Sequence, residues 1–217
     1  QVICECRGRH TFQILTKRPE RMLMWATQDC ERGPISECLA SAAVTNPQTF
    51  RKPLGGEETS IIVDRGWPPP NVWLGVSVED QAAADERIPL LLQTPAAVRF
   101  VSYEPALAAV DFRAVPLPDG DTLGLGLFSH GIGCGIDQII VGGESGPHAR
   151  LFDIQWAYDT IAQCKAAGVA CFVKQLGRHP CVQPDSVFAP LMDFGLVLKD
   201  RAGADPAEWE PDLRVQE

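Results

Sequence analysis

The chain has 217 residues, 45% hydrophobic and 22% charged, which suits one sizeable buried core and excludes a disordered protein. Nineteen basic against twenty-eight acidic residues leave a net charge of -9, so no overall cationic field is available to hold a nucleic acid backbone, although local basic contacts around Lys17, Arg18 and Arg21 stay open. No stretch approaches the roughly twenty apolar residues of a membrane span, and no charged-then-apolar leader is read at the start, so no membrane partner and a cytoplasmic location are expected.

The first residue is Gln1, within an expected helix that carries Cys4 and Cys6, and a start without Met gives the expectation of a fragment. Residues 12–16 read as a buried strand. Pro19 then suits the first turn of a helix with Met22, Trp25 and Ala26 on one face. From 30 to 70 the periodicity fails, broken by Gly33-Pro34, Asn46-Pro47, Gly55-Gly56 and three consecutive prolines at 68–70, and an irregular insertion with a short strand at Ile61–Val63 is expected. Val72–Ser77 reads as the second strand. Glu79 and Asp80 follow it and suit the positive end of a helix bearing Ala84, Ile88, Leu91 and Leu92, with a kink at Pro89.

Ala97–Val101 is the third strand, and a second irregular insertion follows near 113–135. Ile136–Val141 is the fourth strand, Asp153–Ala167 a helix closed by Gly168, and Val169–Val173 the fifth strand. An extended tail runs from about 178 to 217. Strands alternating with helices, without hairpin signals, imply parallel pairing. The fold expected over 1–217 is therefore a single α/β domain, a partial TIM-like barrel of parallel strands with crossover helices and long loop insertions, since five strands fall short of the eight that close such a barrel. A cut barrel would expose an unpaired sheet edge and favour association through it.

Each apolar run ends in a polar cluster, and parallel strands gather such clusters on one rim, where α/β folds place ligands. Thr16, Lys17 and Arg18 suit an anionic substrate group, or else a solvated helix entrance. Ser77 and Glu79 suit a ribose or amino group, or else backbone bonding and helix capping. Ser102 and Glu104 precede Pro105, where the strand must stop, and Glu104 is the best candidate for an inward carboxylate. Gly142, Gly143, Glu144 and Ser145 form a turn able to bring backbone amides close to a ligand, or simply a sharp bend. Lys174 needs an acidic partner, for which Glu104 or Glu144 is available, and Gln175 ends the same strand. Glu104, Lys174 and Glu79 are the catalytic candidates. Ser77 and the 142–145 turn are candidates for a cofactor, and Thr16–Arg18, Ser102 and Gln175 for a substrate.

The eight cysteines are scattered and no pair has metal-ligand spacing, so reduced thiols and no metal site are expected, with Cys164 and Cys171 as packing residues. The segments Thr11–Met22, Asn71–Asp80, Phe100–Pro105, Ile140–Pro147, Phe172–Gly177 and Asp205–Arg214 together resemble an uncharacterised phage-derived protein family found in phages, prophages and bacteria. Its members are similar to radical S-adenosylmethionine enzymes such as spore photoproduct lyase. The resemblance implies S-adenosylmethionine and an iron–sulfur cluster in full-length relatives. This chain would be a C-terminal portion that lacks the cysteine cluster and carries no cofactor of its own, with a small-molecule or nucleotide ligand as the implied partner. The competing classes are a carboxylate-based hydrolase using Glu79, Glu104 and Glu144, and a non-catalytic binding module.

Overall fold

A computed structural model of the chain describes residues 9–28, 70–117, 135–182 and 198–217. The stretch at 30–69 with its expected strand at Ile61–Val63, most of the second insertion, and the expected N-terminal helix with Cys4 and Cys6 lie outside the described residues.

Strands β1 (Phe12–Thr16), β2 (Val72–Ser77), β3 (Val98–Tyr103), β4 (Gln138–Gly142) and β6 (Ala170–Gln175) form one sheet in the order β1-β2-β3-β4-β6, every neighbouring pair parallel. Strand order follows chain order, the arrangement that successive right-handed crossovers build. Helices α1 (Pro19–Gln28), α2 (Gln81–Gln93) and α3 (Ile154–Ala167) lie between the strands in sequence. Two-residue strands β5 (Phe152–Asp153) and β7 (Pro180–Cys181) form a separate parallel pair.

The central strands are buried nearly throughout, which explains why they read as continuous apolar runs rather than as alternating ones. Leu74, Val76, Val101, Ile139, Val141 and Val173 pack with Ala84, Ile88 and Leu91 of α2 and with Ile154, Ala157 and Cys164 of α3 in one core. Helix starts and stops follow local chemistry. Asp80 caps α2 by accepting from the Ala83 amide at 2.8 Å, Asp153 caps α3, and Gly168 ends α3 in the left-handed conformation. Pro89 stands inside α2 without dividing it. On α1, Met22 and Ala26 are buried, but Trp25, expected on the same face, is 39% exposed.

Strands β3 and β6 each run two residues further than the apolar pattern suggests, so Ser102, Lys174 and Gln175 are strand residues. Of the sheet's two outer edges, that of β6 is covered by the C-terminal tail. Val173 donates to the Val215 carbonyl at 2.8 Å, the Glu217 amide donates to Cys171 at 2.9 Å, and Gln216 bridges Phe172 antiparallel. Buried Trp209 and Leu213 anchor the tail, with the Trp209 indole N–H on the Gly203 carbonyl at 3.0 Å. Among the described residues no helix is long and apolar enough to cross a membrane.

Candidate functional site

The C-terminal ends of the five strands bring the expected polar residues to one rim. Its centre is a duplicated Ser-x-Glu: Ser77 pairs in register with Ser102, and Glu79 and Glu104 each stand two residues beyond. Both serines are buried at 4% exposure, and each orients its own glutamate, Ser77 Oγ donating to Glu79 Oε1 at 3.1 Å and Ser102 Oγ to Glu104 Oε2 at 3.3 Å. Ser77 also lies 3.3 Å from the Glu104 carbonyl, which ties the two units together.

A half-buried carboxylate keeps its charge only if cations or donors replace lost water. Glu79, with 13% of its side chain exposed, is held by Lys17 on Oε1 and by Arg87 on Oε2 at 2.9 Å; Arg87 also donates to the Ser77 carbonyl at 2.8 Å. Burial pushes the Glu79 carboxyl up, but Lys17, Arg87 and Ser77 outweigh it and hold it below the usual carboxylate range. Capping of α2 falls to Asp80 alone, so Glu79 is not engaged as the helix cap. Arg87 drew no attention in the sequence because a charge on a helix resembles any solvated one. Its signal is its position, two turns into the helix that follows Glu79.

Glu104 has 14% of its side chain exposed and takes its cation from Lys174, at 3.3 Å on Oε2. That contact skips a strand: Lys174 is on β6, Glu104 follows β3, and β4 runs between them. Two local features make it feasible. The β4–β6 register moves from Val141↔Val173 to Gly142↔Gln175, which leaves Lys174 as an extra residue, a β-bulge that re-aims its side chain. The intervening position is Gly142, where a Cβ would come within 2.8 Å of Glu104 Oε1. A side chain there would occupy the carboxylate's place. Glu104 Oε1 itself has no hydrogen-bond donor among the described residues.

The remaining candidates divide. Thr16 Oγ1 accepts from the Arg18 amide at 2.9 Å and shapes the entry to α1, while the Arg18 side chain is exposed. Gln175 turns its amide onto the Gly143 carbonyl at 2.7 Å, and its own carbonyl takes the Gly143 N–H at 3.0 Å, so both act in holding β4 to β6. Glu144 is clamped in bidentate fashion by Arg150, at 2.8 and 3.0 Å, and this partner holds its carboxyl down to about 2. Ser145 is exposed on the loop beyond. Among the described residues no three His, Cys, Asp or Glu side chains gather as a metal site. The described thiols Cys164, Cys171 and Cys181 are buried and do not fit an iron–sulfur cluster at the rim.

What this arrangement offers a ligand is paired charge of both signs: two inner carboxylates with little exposure, and two lysines, Lys17 and Lys174, whose side chains are 60% and 55% exposed and can be displaced or shared. A model of one family, described as protein of unknown function (DUF5131), matches residues 1–206. No curated protein and no solved structure matches the chain.

Proposed function

Because the chain belongs to the DUF5131 family, whose description leaves activity open, we propose from its own rim that it is a ligand-binding portion of a phage-derived, radical-S-adenosylmethionine-like barrel, without catalysis of its own. The observation that carries this reading is the Lys174 bulge reaching past Gly142 to Glu104. An extra strand residue that sends a cation across its neighbour onto a half-buried carboxylate serves packing poorly and serves a site well.

The ligand class follows from the charges. A zwitterion with hydroxyl donors suits a rim of alternating carboxylates and ammonium groups, and S-adenosylmethionine is such a molecule. Its ammonium or ribose hydroxyls would be received by Glu104 Oε1, which lacks a donor among the described residues, and its carboxylate by Lys17 or Lys174. Bound, that group would supply sulfonium or radical chemistry; this chain's residues would bind and orient it. The hydrolase alternative is weaker, because Lys17 and Arg87 on Glu79 and Arg150 on Glu144 hold those carboxyls below the usual carboxylate range, which makes them poor proton donors near neutrality.

Isothermal titration calorimetry with S-adenosylmethionine tests the proposal. Binding to the native chain, weakened about tenfold or more in Glu104→Gln at an unchanged melting temperature, is the expected result. Equal binding by both proteins, or none by either, would refute it.

A further inference from the structure

Only one face of the sheet belongs to the core. Val76, Val101, Ile139, Val141, Cys171 and Val173 cluster there with residues of α1, α2 and α3. Side chains alternate along a strand, so the residues between them point to the opposite face. On that second face one row runs in register across four strands: Ser77 on β2, Ser102 on β3, Ile140 on β4 and Phe172 on β6. The row is polar in its first half and apolar in its second. Ile140 and Phe172 are half-buried, and among the described residues neither joins the core nor packs against it.

The rows above and below shape this one. Two residues before Ser102, Phe100 lies flat on the sheet. A Cβ on Gly75, its register partner, would stand 2.5 Å from ring Cζ and 2.6 Å from both Cε1 and Cε2, and such near-equal distances arise only over the face of a ring. Phe100 is thus a buried floor rather than a side chain projecting from the sheet. Two residues beyond Ile140 comes Gly142, with no side chain to cover it. Glu104 Oε1, the rim oxygen without a donor among the described residues, borders that bare position, 2.8 Å from where a Cβ would stand. The buried Ser102 hydroxyl and Ile140 sit on neighbouring strands, about 5 Å apart. An acceptor, a hydroxyl and an apolar wall therefore adjoin one another.

Resting on the rim as the place where ligand is met, we infer that Ile140 and Phe172 form a subsite for a nucleobase, part of a ligand whose polar groups meet Ser102 and Glu104. A base has apolar faces and a polar edge, which suits a row that changes from hydroxyl to apolar, and it stacks on an aromatic side chain. An alkyl chain would leave the hydroxyl half of the row unmet, and a wholly polar ligand would leave Ile140 and Phe172 in water. The base belongs either to S-adenosylmethionine itself or to a separate nucleoside.

Calorimetric titration of the full chain separates these sources, using S-adenosylmethionine, adenosine and S-methylmethionine, a sulfonium amino acid without a base. Binding of S-adenosylmethionine about tenfold or more tighter than S-methylmethionine would mark its own base as the occupant. Binding of adenosine to the chain already saturated with S-adenosylmethionine would mark a separate nucleoside. Phe172→Leu, at an unchanged melting temperature, should weaken the base-bearing ligand about fivefold to a hundredfold and leave S-methylmethionine unaffected. Equal affinity for the two sulfonium compounds without adenosine binding would overturn the inference and spare the rim reading. Adenosine binding alone, sensitive to Phe172→Leu, would refute the S-adenosylmethionine reading and keep the subsite. Base-bearing ligands indifferent to Phe172→Leu, or no binding of any probe, would also overturn it.

Discussion

At the N-terminal ends of the strands charge is walled in; at the C-terminal ends it is half open. Arg99, in β3, is 5% exposed, and its guanidinium spends its donors on the carbonyls of Leu91 and Thr94 at the end of α2, where a cation also complements the helix dipole. Its backbone N–H meets Asp137 Oδ2 at 2.7 Å. Glu104, at the far end of β3, depends instead on Lys174, and Glu79, at the far end of β2, on Lys17 together with the less exposed Arg87; both lysines are more than half exposed. The same strands thus carry a fixed charge that completes the fold and exchangeable charges that a ligand can share.

The largest effect should come from breaking the fixed end. Arg99→Met leaves buried carbonyls without donors and is expected to cost about 3 kcal/mol, roughly 6–12 °C in melting temperature, without changing ligand affinity per folded molecule. A loss under 1 kcal/mol, read by urea unfolding, would erase the distinction between the ends. Gly142→Ala should come next, at about 1–3 kcal/mol, because its Cβ collides with Glu104 Oε1. It should also abolish the coupling between Glu104 and Lys174 in a double-mutant cycle. Persistence of that coupling would show that the bare position on β4 is not what lets Lys174 across.

A subtler effect concerns acid. The folded Glu79 pKa lies below its unfolded value, so its stabilisation is fully present above about pH 4.5 and fades as the pH falls through the folded pKa. Glu79→Gln should therefore flatten the decline of urea midpoints below pH 4.5, and parallel declines in both proteins would contradict that. Smallest of all, Lys174→Met should change stability by less than about 1 kcal/mol, as exposed ion-pair partners do, yet weaken ligand binding measurably. A large loss of stability with intact binding would make Lys174 a structural cation like Arg99.

The central strands were legible because burial on both faces leaves uninterrupted apolar runs, whereas β1, expected to be buried, lies at the sheet edge with alternating exposed residues and Leu15 49% exposed; the rim was legible because each run stops at a polar cluster. Ser77, Glu79, Ser102, Glu104 and Lys174 could be named on those grounds. What the pattern could not convey was pairing across strands. The bulge at Lys174 is a change of register, visible only when β4 and β6 lie side by side. Arg87 hides for the same reason, and so does the bond by which Gln175, itself a named candidate, holds Gly143, since both partners are fixed by tertiary packing. The tail's place on the β6 edge is likewise long-range, with Trp209 as its one compositional hint.

The account rests on the C-terminal strand ends being where ligand is met, and hydrogen–deuterium exchange with and without S-adenosylmethionine examines that most directly. Slower exchange is predicted at the amides of Ser77–Asp80, Ser102–Glu104 and Lys174–Leu176, with Arg99 and Asp137 unchanged. Protection confined to the N-terminal strand ends, or spread evenly over the sheet, would contradict it.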